Sequence, residues 1–127
     1  VLLREMIEED DALLCPMLDA RRMEVYAQLF DRSLKEVREI RADIVDANPS
    51  REFLDKRPVY FFGNGAEKCM EVINHPNARL IKDINPLAKN MFPLAEKRIA
   101  VQKFEDTAYF VPMYLKDFVA KKPKKLL

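Results

Sequence analysis

Val59-Tyr60-Phe61-Phe62-Gly63-Asn64-Gly65-Ala66 is the stretch that decides the fold. Its first four residues form a continuous apolar and aromatic run between Pro58 and Gly63, the pattern of a short strand buried on both faces. From Ala66 the period changes, because Ala66, Cys69, Met70 and Ile73 fall at i, i+3, i+4 and i+7 on one stripe of a helix. Strand, glycine turn and helix make a βα unit, and the flanking segments build an α/β domain around it. Upstream, residues 13–18 are mostly apolar, and Val25, Ala27 and Leu29 alternate with Tyr26, Gln28 and Phe30. The spacing predicts two strands joined by the charged turn Asp19-Ala20-Arg21-Arg22. After a turn at residues 31–36, Ile40, Ala42 and Ile44 alternate with Arg41 and Asp43, predicting a third strand with Asp43 on its wet face. The three form an antiparallel meander. Asn48-Pro49-Ser50 offers capping chemistry to a short helix that carries Phe53 and Leu54 and stops before Pro58.

Downstream, residues 78–81 predict a further strand, and Asn85-Pro86 reads as a helix start with Asn as cap and Pro at the first helical position. Leu87, Met91, Leu94, Ala95 and Ile99 carry that helix to about Lys103, and Pro93 kinks it or divides it in two. Residues 109–115 read as extended, and Pro112 places them at a sheet edge or across the surface. At the other end, Leu2, Leu3, Met6 and Ile7 predict an amphipathic helix over residues 1–9 that Asp10-Asp11 ends.

The composition narrows the function. With 127 residues, 49% hydrophobic and 34% charged, the chain suits one globular domain and is neither disordered nor fibrous. A net charge of +1 supplies no global field toward nucleic acid or an anionic membrane. No apolar run reaches the roughly 18–20 residues of a membrane span, and residues 1–9 do not read as a signal peptide, so a cytoplasmic protein without membrane contact is expected. Cys15 and Cys69 lack metal-ligand spacing and read as reduced, buried thiols. His75, the one histidine, lies in the polar turn Asn74-His75-Pro76-Asn77 and reads as a surface loop residue. Neither a metal centre nor a nucleophile with its base can be assembled, and no cofactor is expected. The opening Val-Leu-Leu-Arg, without an initiator Met, reads as the interior of a longer protein.

Two turns and a tail are candidate sites. Gly63-Asn64-Gly65-Ala66 holds both glycines of the chain where a strand meets a helix start, which suits either an anion at the helix N-terminus or a tight structural turn. It lacks the Lys-Ser/Thr of a phosphate loop and the third glycine of a dinucleotide fingerprint. Asp19, Arg21 and Arg22 suit phosphate, metal or a partner carboxylate, or a hairpin turn with locally paired arginines. Lys116, Lys121, Lys122, Lys124 and Lys125 against Asp117 leave the tail at +4 and residues 1–115 at −3. Such a tail is a solvated terminus or a source of salt-dependent tRNA contact through Lys121, Lys122, Lys124 and Lys125. The element order, a meander extended by helical crossovers, is that of a ribonuclease H-like domain, yet Asp19 lacks the acidic companions that a two-metal nuclease needs.

Three segments then carry a resemblance: Pro16-Met17-Leu18-Asp19-Ala20-Arg21-Arg22-Met23-Glu24-Val25-Tyr26, Phe62-Gly63-Asn64-Gly65-Ala66 and Pro112-Met113-Tyr114-Leu115-Lys116. In this order and spacing, they resemble the second half of the TsaB (YeaZ-like, glycoprotease-like) family. Lys116 departs from the more usual arginine, keeping the charge without the bidentate fork. The resemblance implies a two-lobed fold of the actin, sugar kinase and Hsp70 type (ASKHA). Residues 13–119 would be its C-terminal ribonuclease H-like lobe, residues 1–12 the end of the other lobe, and residues 120–127 a basic tail. It implies a non-catalytic scaffold of tRNA threonylcarbamoyladenosine synthesis, partner of the TsaD-type transferase and the TsaE-type ATPase and in contact with tRNA indirectly. Gly63, Asn64 and Gly65 would stand where active relatives hold the adenosine of a nucleotide, with Asp19 near their second phosphate turn. The resemblance also places the TsaD and homodimer contacts mainly on the other lobe, so self-association of this chain is expected at the helix of residues 1–9. The alternatives are a nucleotide-binding enzyme of the same fold and a tRNA-binding module working through the lysine tail.

Overall fold

A computed structural model describes residue 3 and residues 6–116. The elements run β1 (Leu13–Asp19), β2 (Glu24–Phe30), β3 (Glu36–Ile44), α1 (Arg51–Leu54), β4 (Val59–Phe62), α2 (Ala66–Met70), β5 (Ala78–Ile81) and α3 (Phe92–Ala100). The five strands form one mixed sheet in the order β3-β2-β1-β4-β5. β2 is antiparallel to β1 and β3, while β4 is parallel to both β1 and β5, so the meander and the βα unit share a single sheet. This is an α/β architecture, as the alternation of periods predicts.

The strand pleat sends β1 to two cores. Leu13, Cys15 and Met17 face one side with Val25, Ala27, Leu29, Val59 and Phe61, and there Leu54 of α1 and Ala66 and Cys69 of α2 close over them. Phe61 and Leu54 are completely buried. Helix α2 ends at Met70, but Ile73 still bonds its N–H to the Cys69 carbonyl at 2.8 Å, which keeps Ile73 on the predicted apolar stripe. The opposite face packs Leu14 against Ile7 and Ala12, with Phe30, Leu34, Tyr60, Phe62 and Ile81 half-covered around them. Among the described residues none of α1, α2 and α3 contributes a side chain to this second cluster.

Several local expectations change. The helix expected over residues 1–9 falls partly on residues outside those described; Leu3 and Met6 take a 3-10 conformation, and residues 7–9 are not helical. Asp43 is buried and Ile44 is 58% exposed, the reverse of the predicted faces. The β2–β3 register shifts near Ala27 and Leu29, and Asp43 then pairs opposite Val25 on the core side, neutralised there by Arg38 at 2.5 Å. Ser50 is the N-cap of α1, but its hydroxyl makes no cap bond and is buried without a partner. The chain does not turn helical at Asn85-Pro86. A 3-10 turn spans Ala88–Met91, and α3 begins at Phe92 with Pro93 in its first turn, where the missing N–H costs nothing. Residues 110–114 form neither strand nor helix and join no sheet edge.

Candidate functional site

Parallel pairing of β1 with β4 brings their carboxyl ends to the same edge, the position where open α/β sheets present their turns to ligands. Asp19 ends β1, and Gly63 follows β4. The Asp19 backbone N–H donates to Oδ1 of Asn64 at 2.9 Å, so the two motifs read separately in the sequence form one site.

Both glycines are explained by how closely the turn approaches β1. Gly63 has φ +98°, and a Cβ there would stand 2.2 Å from the Met17 carbonyl oxygen. At Gly65 a Cβ would stand 2.9 Å from the Leu18 carbonyl carbon and 2.9 Å from Val25 Cγ1. The Gly65 N–H donates to the Met17 carbonyl and the Ala66 N–H to the Gly63 carbonyl, so donors at the start of α2 are already engaged. Of the two readings the sequence left open, this geometry favours the tight structural turn.

The Asp19 carboxylate is engaged as well. Its Oδ1 accepts from Lys68 Nζ at 2.5 Å and from the Arg21 backbone N–H at 2.9 Å, and the lysine first, then the amide, holds the carboxyl below the usual carboxylate range. Lys68 also donates to the carbonyls of Arg22 and Glu24 at 2.7 and 2.6 Å. One side chain of α2 thus clamps the whole hairpin turn, and there Arg21 and Arg22 take φ of 71° and 49°, the left-handed region that L-residues avoid. The Arg21 and Arg22 side chains themselves are exposed. Sequence reasoning missed Lys68, since its position on the helix carries no sign that it reaches the β1–β2 hairpin.

Beyond the glycine turn lies a polar depression of about 270 Å³ lined by Gly63, Asn64, Glu67, Lys82, Asp83 and Asn85, among others. Asp83 takes a positive φ of 60° there, and Asn85, expected as a helix cap, lines the depression instead. Among the described residues, no three His, Cys, Asp or Glu side chains gather in a group able to hold a metal ion.

The remaining candidates lie elsewhere. Cys15 and Cys69 are free and buried, and burial pushes both thiols up, Cys69 to about 11. His75 does more than occupy a loop. Its Nδ1 accepts from the Asn77 N–H at 3.1 Å, which places the ring proton on Nε2, 3.2 Å from Asp55 Oδ1. Lys116 donates to Glu24 and sits 5.6 Å from the centre of the Tyr26 ring. Lys121, Lys122, Lys124 and Lys125 lie outside the described residues, and no described helix is long and apolar enough to cross a membrane.

No protein-family model matches the chain, and a search of curated proteins returns no match.

Proposed function

We propose that this chain is the ribonuclease H-like lobe of a TsaB-type protein, a non-catalytic scaffold that supports the TsaD-type transferase in tRNA threonylcarbamoyladenosine synthesis. The observation that carries this reading is the meeting of the three segments on which the resemblance rests. Asn64 of the second bonds Asp19 of the first, and Lys116 of the third pairs with Glu24 and covers Tyr26 of the first. Segments up to 92 residues apart are thereby assembled where the C-terminal end of β1 meets the start of β2. The strand order β3-β2-β1-β4-β5, with β2 antiparallel to its neighbours, agrees with a ribonuclease H-like lobe.

A scaffold role suits the chemistry of this edge. Lys68 neutralises Asp19, and the backbone of the glycine turn is occupied by β1, so the positions that the resemblance assigns to adenosine (Gly63, Asn64, Gly65) and to a phosphate turn (Asp19) serve here to hold turns together. The TsaE-type ATPase and tRNA would be met through the assembled complex.

The test is capture of the cognate TsaD-type subunit, with the 127-residue chain and its two-lobed form as parallel baits. Capture by the two-lobed form alone is the expected result and puts the main interface on the other lobe. Capture by both adds an interface on this lobe, and capture by neither overturns the assignment.

A further inference from the structure

We infer that the tip of the β1–β2 hairpin docks an acidic segment of another protein, with Arg21 and Arg22 as the two guanidinium forks that receive its carboxylates. Among the described residues, these are the only two consecutive ones with positive φ. A side chain is disfavoured there, and where a hairpin needs consecutive residues of positive φ, Asn-Gly is the sequence that meets the need without strain. Lys68 explains why the backbone takes this path, since it bonds the carbonyls of Arg22 and Glu24 as well as Asp19. It does not explain why the two residues on the path are arginines. Both side chains are exposed, and neither guanidinium has a hydrogen-bond or ion-pair partner among the described residues. A local rule broken here without gain to the fold marks side chains that serve something outside the molecule.

Charge balance gives the sign of the ligand. Beside the tip, Asp19 is paired with Lys68 and Glu24 with Lys116, so among the described residues Arg21 and Arg22 stand there as two uncompensated positive charges. The body that carries them is acidic: residues 6–83 hold 12 basic and 16 acidic side chains, a net −4. A basic tip on an acidic body draws an anionic partner to one point and fixes its register there.

The donors at the tip then separate carboxylate from phosphate. A turn that binds phosphate presents backbone N–H groups. Here the N–H groups of Ala20, Arg21 and Glu24 are already bonded, to the Glu24 carbonyl, to Asp19 Oδ1 and to the Arg21 carbonyl. What the tip offers is two side-chain forks, each the planar match of one carboxylate. A nucleic acid requires several phosphates to be neutralised along its backbone, and two arginines above a body of net −4 supply too few. A protein segment with neighbouring Asp or Glu side chains asks for no more than this tip holds.

The test uses the full 127-residue chain, isotope-labelled, with hexaglutamate as the probe at millimolar concentration, because exposed charge pairs are individually weak. Ligand-induced amide shifts are expected to centre on residues 20–24 and to shrink severalfold when salt is raised to about 1 M, where charges act over only about 3 Å. Two double variants separate the site from the strain. Arg21→Asn with Arg22→Gly removes the charges together with the backbone strain, so it should show a higher urea midpoint than wild type and lose the shifts. Arg21→Gln with Arg22→Gln removes the charges and leaves the strain, so it should lose the shifts at a midpoint near that of wild type. Shifts in either variant equal to those of wild type overturn the site, and so do wild-type shifts centred on the basic residues 51–57 or on the lysines beyond residue 115. If Arg21→Asn with Arg22→Gly is no more stable than wild type, the arginines are no burden to the fold and the proposal is overturned. Larger shifts at the tip with a hexauridylate RNA or with inorganic phosphate than with hexaglutamate at equal concentration overturn carboxylate as its ligand.

Discussion

Asn64 and Asp19, 45 residues apart in the chain, are joined by a 2.9 Å hydrogen bond from the Asp19 backbone N–H to Asn64 Oδ1. The ladder between β1 and β4 has its last paired residues at Pro16 and Phe62. Past that point β4 has turned away at Gly63, and the Asn64 amide accepts the bond that a further strand residue would otherwise have taken. The side-chain amide thus extends the sheet by one rung and fixes the hairpin of β1 and β2 against the start of α2.

Replacing Asn64 by Ala removes that acceptor and little else, since the side chain is exposed. The expected loss is about 1 kcal/mol, read as a lower urea midpoint with unchanged slope. An unchanged midpoint would show that water replaces the amide without cost.

The two glycines should differ in their tolerance of alanine. Gly63→Ala combines a positive φ with a Cβ 2.2 Å from a backbone oxygen that cannot rotate away, so a loss of more than about 3 kcal/mol is expected. Gly65→Ala meets the Leu18 backbone and the Val25 side chain at 2.9 Å without any φ penalty, and its cost should be smaller. Equal midpoints for the two variants would contradict the close approach of residue 63 to β1.

Much of this sheet is legible in the sequence because its signals are local. Val59 to Phe62 between a proline and a glycine, and the alternation from Val25 to Phe30, each state their own strand. The errors arise where tertiary partners decide. Asp43 is drawn into the core because Arg38, five residues earlier and across a bulge that restores the shared face, reaches it there. Pro93 rather than Pro86 opens α3, although both follow residues that can precede a helix. The candidate site shows the same division. Gly63, Asn64 and Asp19 stand out by residue type, while their bond and the reach of Lys68 depend on strands meeting across 45 residues or more.

The Asp19–Lys68 pair should appear in the acid limb of stability. The folded-state carboxyl is lowered, so its contribution is complete above the unfolded value of 3.8 and is lost as pH falls through the folded value. Lys68→Met removes that contribution together with the two carbonyl bonds. The gap in urea midpoint between wild type and variant is expected to be widest above about pH 4 and to narrow toward about pH 2, without closing, because the carbonyl bonds do not titrate. A gap independent of pH would mean that Lys68 acts through the carbonyls alone.

The thiols offer a check on the larger core. Cys15 and Cys69 both face it, and the raised Cys69 thiol, at about 11, leaves little thiolate near neutrality. Neither should react with a thiol-specific disulfide reagent in the native protein, and both should react at once in denaturant. Rapid native labelling of Cys69 would show that α2 lifts from the sheet.

The Arg38–Asp43 pair separates the value of an ion pair from the cost of breaking it. Both side chains are over nine-tenths buried on the edge strand β3, joined at 2.5 Å, and Arg38 Nε is left without a partner. Arg38→Ala strands a buried carboxylate, so a loss of about 3–5 kcal/mol is expected. The double variant Arg38→Met with Asp43→Leu removes both charges and the unsatisfied Nε, filling similar volume beside Val25 and Ala27. It should recover to within about 1 kcal/mol of wild type or exceed it, because the desolvation that the pair must overcome disappears with it. A double variant as unstable as Arg38→Ala would instead mean that the pair fixes the bulged register of β3. In that case the amide-exchange protection of residues 36–44 should fall well below that of β2, its neighbour in the sheet.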